Sequence, residues 1–284
     1  MGDNVLIVGC GDTGRRIAAA RRAAGDGVLG LVRGADSAAA LEAAGIPALR
    51  RDLDQPLDDL PAADVVFHCA PPPREGDDDP RLARVLAALS PHPPRRLVYI
   101  GTSGVYGDCG GDWVTEDRPP APITARARRR LAAERLLAAW PGAVAILRAP
   151  GIYGPGRLPV ERVRSGAPIL RDADSPWTNR IHVEDLAAAA VAAAAPDAPT
   201  GVFNAADGHP TRMGPYYREL AALLGVAAPP EIEWARAERE WSAMRLSFLR
   251  ESRRLDNTRL TRELGLRLRY PDYREGLRAS LAAA

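Results

Sequence analysis

Gly9-Cys10-Gly11-Asp12-Thr13-Gly14 follows directly on the apolar run Val5-Leu6-Ile7-Val8 and opens a stretch with helical periodicity. A strand that turns on glycine into a helix limits the chain to a few architectures. Gly9 permits the tight turn, Gly11 lets a pyrophosphate approach bare backbone, and Gly14 lets the helix lie close on the strand. The amides of the first helical turn, with Asp12 and Thr13 among them, then face the phosphates of a dinucleotide. Cys10 reads as a small apolar filler within the turn.

The first half of the chain keeps this alternation. Val28 to Val32, Val65 to Cys69, Leu97 to Ile100 and Val144 to Leu147 read as buried parallel strands. Ile17 to Ala24, Ala38 to Ala44, Arg81 to Leu89 and Thr124 to Ala139 read as the helices that cross between them. The expected fold is α/β, a doubly wound parallel sheet of Rossmann type with a smaller interleaved C-terminal substrate lobe. Residues 1–150 are expected to form the dinucleotide-binding part, with a return segment near 177–205. Residues 151–176 and 206–284, rich in turn signals, make the lobe. The Ala-rich stretch Leu186 to Ala195 is too short to span a bilayer and reads as a buried helix against the sheet. Pro71 to Pro80 reads as a loop whose acids are solvated.

Charge and cysteine usage narrow the function classes. The 38 basic and 36 acidic residues nearly cancel to +2 and are spread along the chain, so no basic arm for nucleic acid is expected. Cys10, Cys69 and Cys109 form no C-x-x-C pair and supply too few ligands for structural zinc. No metal is expected, and a reducing cytoplasm is the simplest setting. Asp3 and the absence of a basic n-region argue against a secretory signal, and no membrane partner is expected.

The second strand ends at Arg33, where an NAD-preferring fold would place an acid on the adenosine ribose hydroxyls. Arginine suits a 2′-phosphate instead. A charged hydrogen bond of about 1.5–3 kcal/mol would favour NADP over NAD about tenfold to hundredfold. NADP is the expected cofactor, with NAD less favoured.

Further motifs follow in order: Asp52 after the third strand, Phe67-His68-Cys69-Ala70, Gly101-Thr102-Ser103-Gly104-Val105-Tyr106-Gly107, Arg148 to Gly156, Arg180-Ile181-His182-Val183-Glu184-Asp185, and Val202-Phe203-Asn204. In this order the chain resembles the extended short-chain dehydrogenase/reductase superfamily, in its NAD(P)-dependent epimerase/dehydratase-like branch, over nearly its whole length. The resemblance implies that Asp52 and Leu53 border the adenine and that the backbone from His68 through Cys69, Ala70 and Pro71 lies along the ribose. It places Thr102 in the column of the family's catalytic Ser/Thr, followed by Ser103. Nucleotide-sugar 4,6-dehydratases would show an Asp-Glu pair at positions 103 and 104, so that activity is disfavoured.

The departure from the family is the Tyr-x-x-x-Lys pair. Not one lysine occurs in the chain, so every basic side chain other than the four histidines is arginine. Counting back from Glu134, the two family positions fall on Arg126 and Arg130. At i and i+4 these share a helix face, with Arg128 and Arg129 expected to face elsewhere. A guanidinium stays charged at neutral pH and cannot serve as a general acid. Arg126 would stabilise a developing alkoxide or bind a substrate carboxylate, while the proton would come from Tyr106, Tyr153, His182 or water. Gly151 and Thr178 replace an asparagine and a diphosphate-binding arginine of many nucleotide-sugar enzymes, with Arg157 and Arg180 as compensating candidates.

The expected function is an NADP-preferring oxidoreductase of atypical short-chain type acting on a small, anionic carbonyl or alcohol substrate. Two alternatives stay open: an epimerase or dehydratase using transient oxidation, and a non-catalytic dinucleotide sensor. A homodimer through the helices Arg81 to Leu89 and Thr124 to Ala139 is the expected assembly.

Overall fold

The computed structural model describes residues 2–283. The chain begins β1 (Asn4–Val8), α1 (Asp12–Ala23), β2 (Gly27–Val32), α2 (Ala35–Ala43), β3 (Ala48–Arg50), β4 (Val65–His68), α3 (Pro80–Leu89) and β5 (Arg96–Ile100). A 3-10 turn at Ser103–Tyr106, β6 (Trp113–Val114), α4 (Ala125–Ala138) and β7 (Ala143–Arg148) come next. They lead into β8 (Gly151–Tyr153), α5 (Val160–Arg164), β9 (Ile169–Leu170), β10 (Arg180–His182), α6 (Val183–Ala193) and β11 (Gly201–Asn204). The chain ends with α7 (Met213–Leu223), β12 (Glu231–Ile232), α8 (Trp234–Glu240), α9 (Ala243–Leu249), β13 (Arg254–Leu255) and α10 (Tyr273–Ala282).

Seven parallel strands form the main sheet in the order β11-β7-β5-β4-β1-β2-β3. Strand order reverses between β1 and its neighbour β4, which opens a crevice beyond their C-terminal ends. Each face of the sheet carries its own core. On one face Ile7, Ile17, Val65 and Phe67 pack with Ala187, Ala189, Ala190 and Ala193 of α6, small side chains that let the helix lie close to the sheet. On the other, Leu6, Val66, Leu97 and Tyr99 pack against α3 and α4 through Leu82, Val85, Ala133 and Leu137. Three two-stranded pairs lie outside the main sheet, β8 with β10, β9 with β12, and β6 with β13. The largest apolar cluster of the lobe is built on Tyr153, Tyr216, Leu220, Tyr273 and Leu277.

One expectation is overturned in the loop after β4. Asp79 is buried and accepts from the Leu82 amide at 3.1 Å, so it caps α3 rather than standing in solvent. The Leu82 amide is one of those a helix start leaves unpaired, and Pro80 at the first helical position has no amide to add to them. No helix among the described residues is long and apolar enough to cross a membrane.

Candidate active site

The crevice is built from the ends of β1, β2 and β4. Gly9 holds φ +78, and a Cβ there would lie 2.6 Å from the Ala70 Cα, so packing alone requires glycine. At Gly11 a Cβ would meet only the Gly9 carbonyl oxygen, at 4.0 Å, and the space above it is open. Gly11 also heads α1, and no side chain caps that helix end. Free amides at a helix start, beside open space over bare backbone, fit a dinucleotide's pyrophosphate. Thr13 and Gly14 are buried in the first turn. Asp12 pairs with Arg16 at 3.2 Å and with Arg157 at 2.7 Å, which ties the turn after β8 to the glycine loop.

Arg33 is exposed at the end of β2, beside the N-terminus of α2, which likewise has no side-chain cap. Asp52 accepts from the Asp54 amide at 3.0 Å, while Leu53 is buried and its carbonyl accepts from Arg84 at 2.9 Å. The Cys69 and Ala70 amides both donate to the Val8 carbonyl, at 2.8 and 3.1 Å, which holds this strand end against Gly9. The Pro71 carbonyl accepts from Arg81 at 3.1 Å. Burial pushes the Cys10 thiol up to about 11 and the Cys69 thiol up to about 12, so neither supplies a thiolate.

A cavity of about 710 Å³ lies between the sheet and the lobe. Thr102 and Ser103 line it after β5, Arg126, Arg129 and Arg130 from α4, and Arg74 from the loop after β4. The return segment contributes Trp177 and Arg180, and the lobe Tyr153, Arg157, Tyr216, Tyr217, Phe248, Glu251 and Arg253. Seven arginines and one carboxylate, that of Glu251, thus line the cavity among aromatic rings.

Arg126 and Arg130 both line this cavity, but they point to different partners. Arg130 donates to the Tyr99 hydroxyl and to the Ile100 carbonyl. Arg126 reaches the lobe, donating to Ser247 Oγ at 3.1 Å and stacking over the Phe248 ring 3.7 Å from its centroid. Burial lowers the Arg126 pKa from its usual value, and the Glu251 charge works against that shift. Arg129 departs from expectation: it lines the cavity and donates to the Gly76 carbonyl at 2.7 Å, because the loop after β4 folds over α4. Arg128 turns outward to Asp77 at 2.9 Å.

The Thr102 hydroxyl accepts from the Gly104 amide at 3.1 Å and caps the 3-10 turn; Ser103 is buried behind it. Tyr106 is unsuited to the proton-donor role. It is buried, its hydroxyl donates to Asn204 Oδ1 at 2.8 Å, and desolvation pushes its pKa up to about 12. The Tyr153 hydroxyl packs against Gly276, and burial drives its pKa far above the phenol range. His182 caps α6, with Nδ1 accepting from the Glu184 amide at 3.2 Å and Nε2 3.1 Å from Ser280 Oγ; burial pulls its pKa down to about 4. Arg180 is spent on Thr211 and Thr178, at 2.7 and 3.0 Å. The cavity acid that sequence reasoning missed is Glu251, which lies outside every motif that places the site.

Residues 5–206 match the model of the NAD dependent epimerase/dehydratase family, and the chain belongs to that family. It is 30% identical over 301 aligned residues, covering 96% of this chain and 98% of the other, to a Streptomyces protein named 3-diazoavenalumate denitrifying reductase. A solved protein of unknown function from Silicibacter pomeroyi is 33% identical over 99% of both chains, with a TM-score of 0.86. Bordetella bronchiseptica WbmG, solved in complex with NAD, shares the fold at 20% identity and a TM-score of 0.79, over 99% of this chain and 94% of its own. The chain is accordingly an NAD(P)-dependent enzyme of the oxidoreductase and epimerase type, which sets aside the non-catalytic sensor.

Proposed function

We propose that this chain is a reductase that uses NADPH in preference to NADH on a small substrate carrying a carbonyl and a negative charge. The observation that carries this reading is the lining of the cavity, where Arg126 and Arg130 of α4, the positions to which the family resemblance assigns tyrosine and lysine, both appear and the arginines outnumber the single acid. Bound nicotinamide supplies the hydride. Arg126 stabilises the developing negative charge, and the surrounding arginines draw in and orient an anionic substrate. Thr102 is the hydroxyl nearest the end of β5 for the reacting oxygen. Arg33 and the uncapped start of α2 favour a 2′-phosphate, whereas WbmG, solved with NAD, argues for the simpler cofactor. The free thiols of Cys10, Cys69 and Cys109 suit a reducing cytoplasm.

A second reading is favoured by the likeness to the Streptomyces reductase. Reductive loss of nitrogen from a diazonium group needs a hydride and no proton: a C–H bond forms with the hydride electron pair, and dinitrogen leaves with the electrons of the broken C–N bond. A site without a tuned phenol loses nothing in such a reaction. The test follows NADPH oxidation with carboxylate-bearing aldehydes, ketones and aryl diazonium salts, using Arg126→Ala and Thr102→Ala as controls. Carbonyl turnover that needs both residues supports the first reading, and turnover of the diazonium salts alone supports the second. No oxidation of NADPH across the set would remove both.

A further inference from the structure

Glu251 lies just ahead of β13, on the cavity wall, and is only 8% exposed. Its Oε2 accepts from Arg253 at 2.8 Å, and the same guanidinium donates to the Gly107 carbonyl at 2.7 Å. The carboxylate is thereby fixed to the turn that follows Thr102. Its Oε1 is buried and accepts no hydrogen bond from the described residues. Buried carboxylate oxygens are normally paired, because desolvation without a donor is costly. The neighbouring Arg126 is held toward Ser247 and Phe248. Glu251 itself lines the cavity, and a turn of its side chain is what brings Oε1, closed off here, to a molecule bound there.

We propose that Glu251 is the substrate-recognition acceptor of the site, with Oε1 taking a hydrogen bond from a hydroxyl or amino group of the substrate. The substrate is then a small flat acid that also carries an O–H or N–H donor, its ring lying among Trp177, Tyr217 and Phe248 and its charge balanced by the arginines. The proposal rests on the reading of the cavity as the substrate site of an oxidoreductase. A site built to bond a substrate donor rejects the analogue that lacks it much more strongly than an apolar slot rejects a lost methylene.

The test uses the full chain with NADPH bound, titrated with benzoate, para-hydroxybenzoate and para-methoxybenzoate and followed by tryptophan fluorescence and calorimetry. The hydroxy acid should bind at least about tenfold more tightly than the other two, the range of one charge-assisted hydrogen bond. In Glu251→Met, which has no side-chain oxygen to accept, the three affinities should fall within about threefold of one another while the Kd for NADPH is unchanged. Equal affinities in the wild type, a preference that survives in Glu251→Met, or no binding of any of the three would overturn the proposal. If the variant does not fold, the wild-type comparison of hydroxy with methoxy acid decides alone. Failure of NADPH itself to bind would instead remove the oxidoreductase reading, and the same comparison on the free protein would still decide the role of Glu251.

Discussion

The Arg130 guanidinium donates to the Tyr99 hydroxyl at 3.0 Å and to the Ile100 carbonyl at 3.1 Å, so it closes the end of β5 instead of tuning a catalytic phenol. One helical turn earlier stands a second permanent cation, Arg126. Neither exchanges protons near neutrality, so carbonyl turnover should stay level on the alkaline side up to about pH 9. Arg126→Ala should lower kcat/KM about tenfold to hundredfold and leave the Kd for NADPH unchanged. Steady-state rates across pH would refute this by showing a limb with a phenol-like midpoint.

Two glycines of the same loop should respond differently to alanine. At Gly9 the new methyl would lie 2.6 Å from Ala70 backbone atoms and require a φ that alanine rarely adopts, so Gly9→Ala should lose stability and cofactor binding together. Gly11→Ala meets open space, so its denaturation midpoint should match the wild type while NADPH affinity falls. Thermal unfolding beside a cofactor titration separates the two, and equal stability losses would contradict the packing argument.

The Glu134–Arg148 pair bonds α4 to β7 through two contacts, at 2.7 and 3.1 Å, with both side chains buried. Glu134→Gln would leave a buried guanidinium uncompensated and should cost about 3–5 kcal/mol. Glu134→Leu combined with Arg148→Met removes both charges and should cost less than the single change. Urea unfolding of the three proteins checks the order, and a double variant weaker than the single would refute it.

His68 is fully buried and stacks on Tyr99 with ring centroids 5.7 Å apart. Desolvation pulls its pKa down to about 3 from 6.5, so between those values the unfolded chain holds one more proton than the native one. Its contribution therefore destabilises the fold as pH drops below about 6.5, by up to about 1.4 kcal/mol per pH unit. Asp207 acts in the opposite sense: burial pushes it up to about 7 from 3.8, and its contribution falls as pH rises through that window. His68→Phe keeps the stack and should flatten the acid branch of stability against pH by one proton. An unchanged slope would show that His68 titrates normally.

Arg33→Asp should move relative affinity from NADPH toward NADH by about tenfold to hundredfold. Paired titrations of the two nucleotides measure the ratio directly. A ratio that does not move would assign the 2′-phosphate elsewhere or select NAD.

The parallel sheet and its cofactor crevice were legible because their signals are local. Val5 to Val8 and the glycines after it lie within ten residues of one another, and each crossover helix declares itself by its own periodicity. Arg126 and Arg130 were legible as cavity residues for the same reason, since i and i+4 fix a shared face. Arg129 was not, because the loop that covers it is brought over α4 by tertiary folding, and Gly76 carries no pattern that announces a carbonyl for a guanidinium. Tyr106 looked available until its hydroxyl was seen committed to Asn204, a partner far along the chain. Glu251 escaped notice altogether: its value lies in Arg253, Gly107 and Arg126 meeting around it, and three distant segments have to converge before that exists.

β11 completes the sheet by pairing with β7, and α6 packs on α1, the helix that carries the glycine loop. During synthesis the nucleotide-binding half therefore waits, with one flank of α1 uncovered, until translation has passed Ala193, and with β7 as a bare sheet margin until Asn204 has emerged. Premature termination between residue 150 and those points would release a sticky, half-clothed intermediate, so the smallest unit of this polypeptide able to mature reaches at least through Asn204.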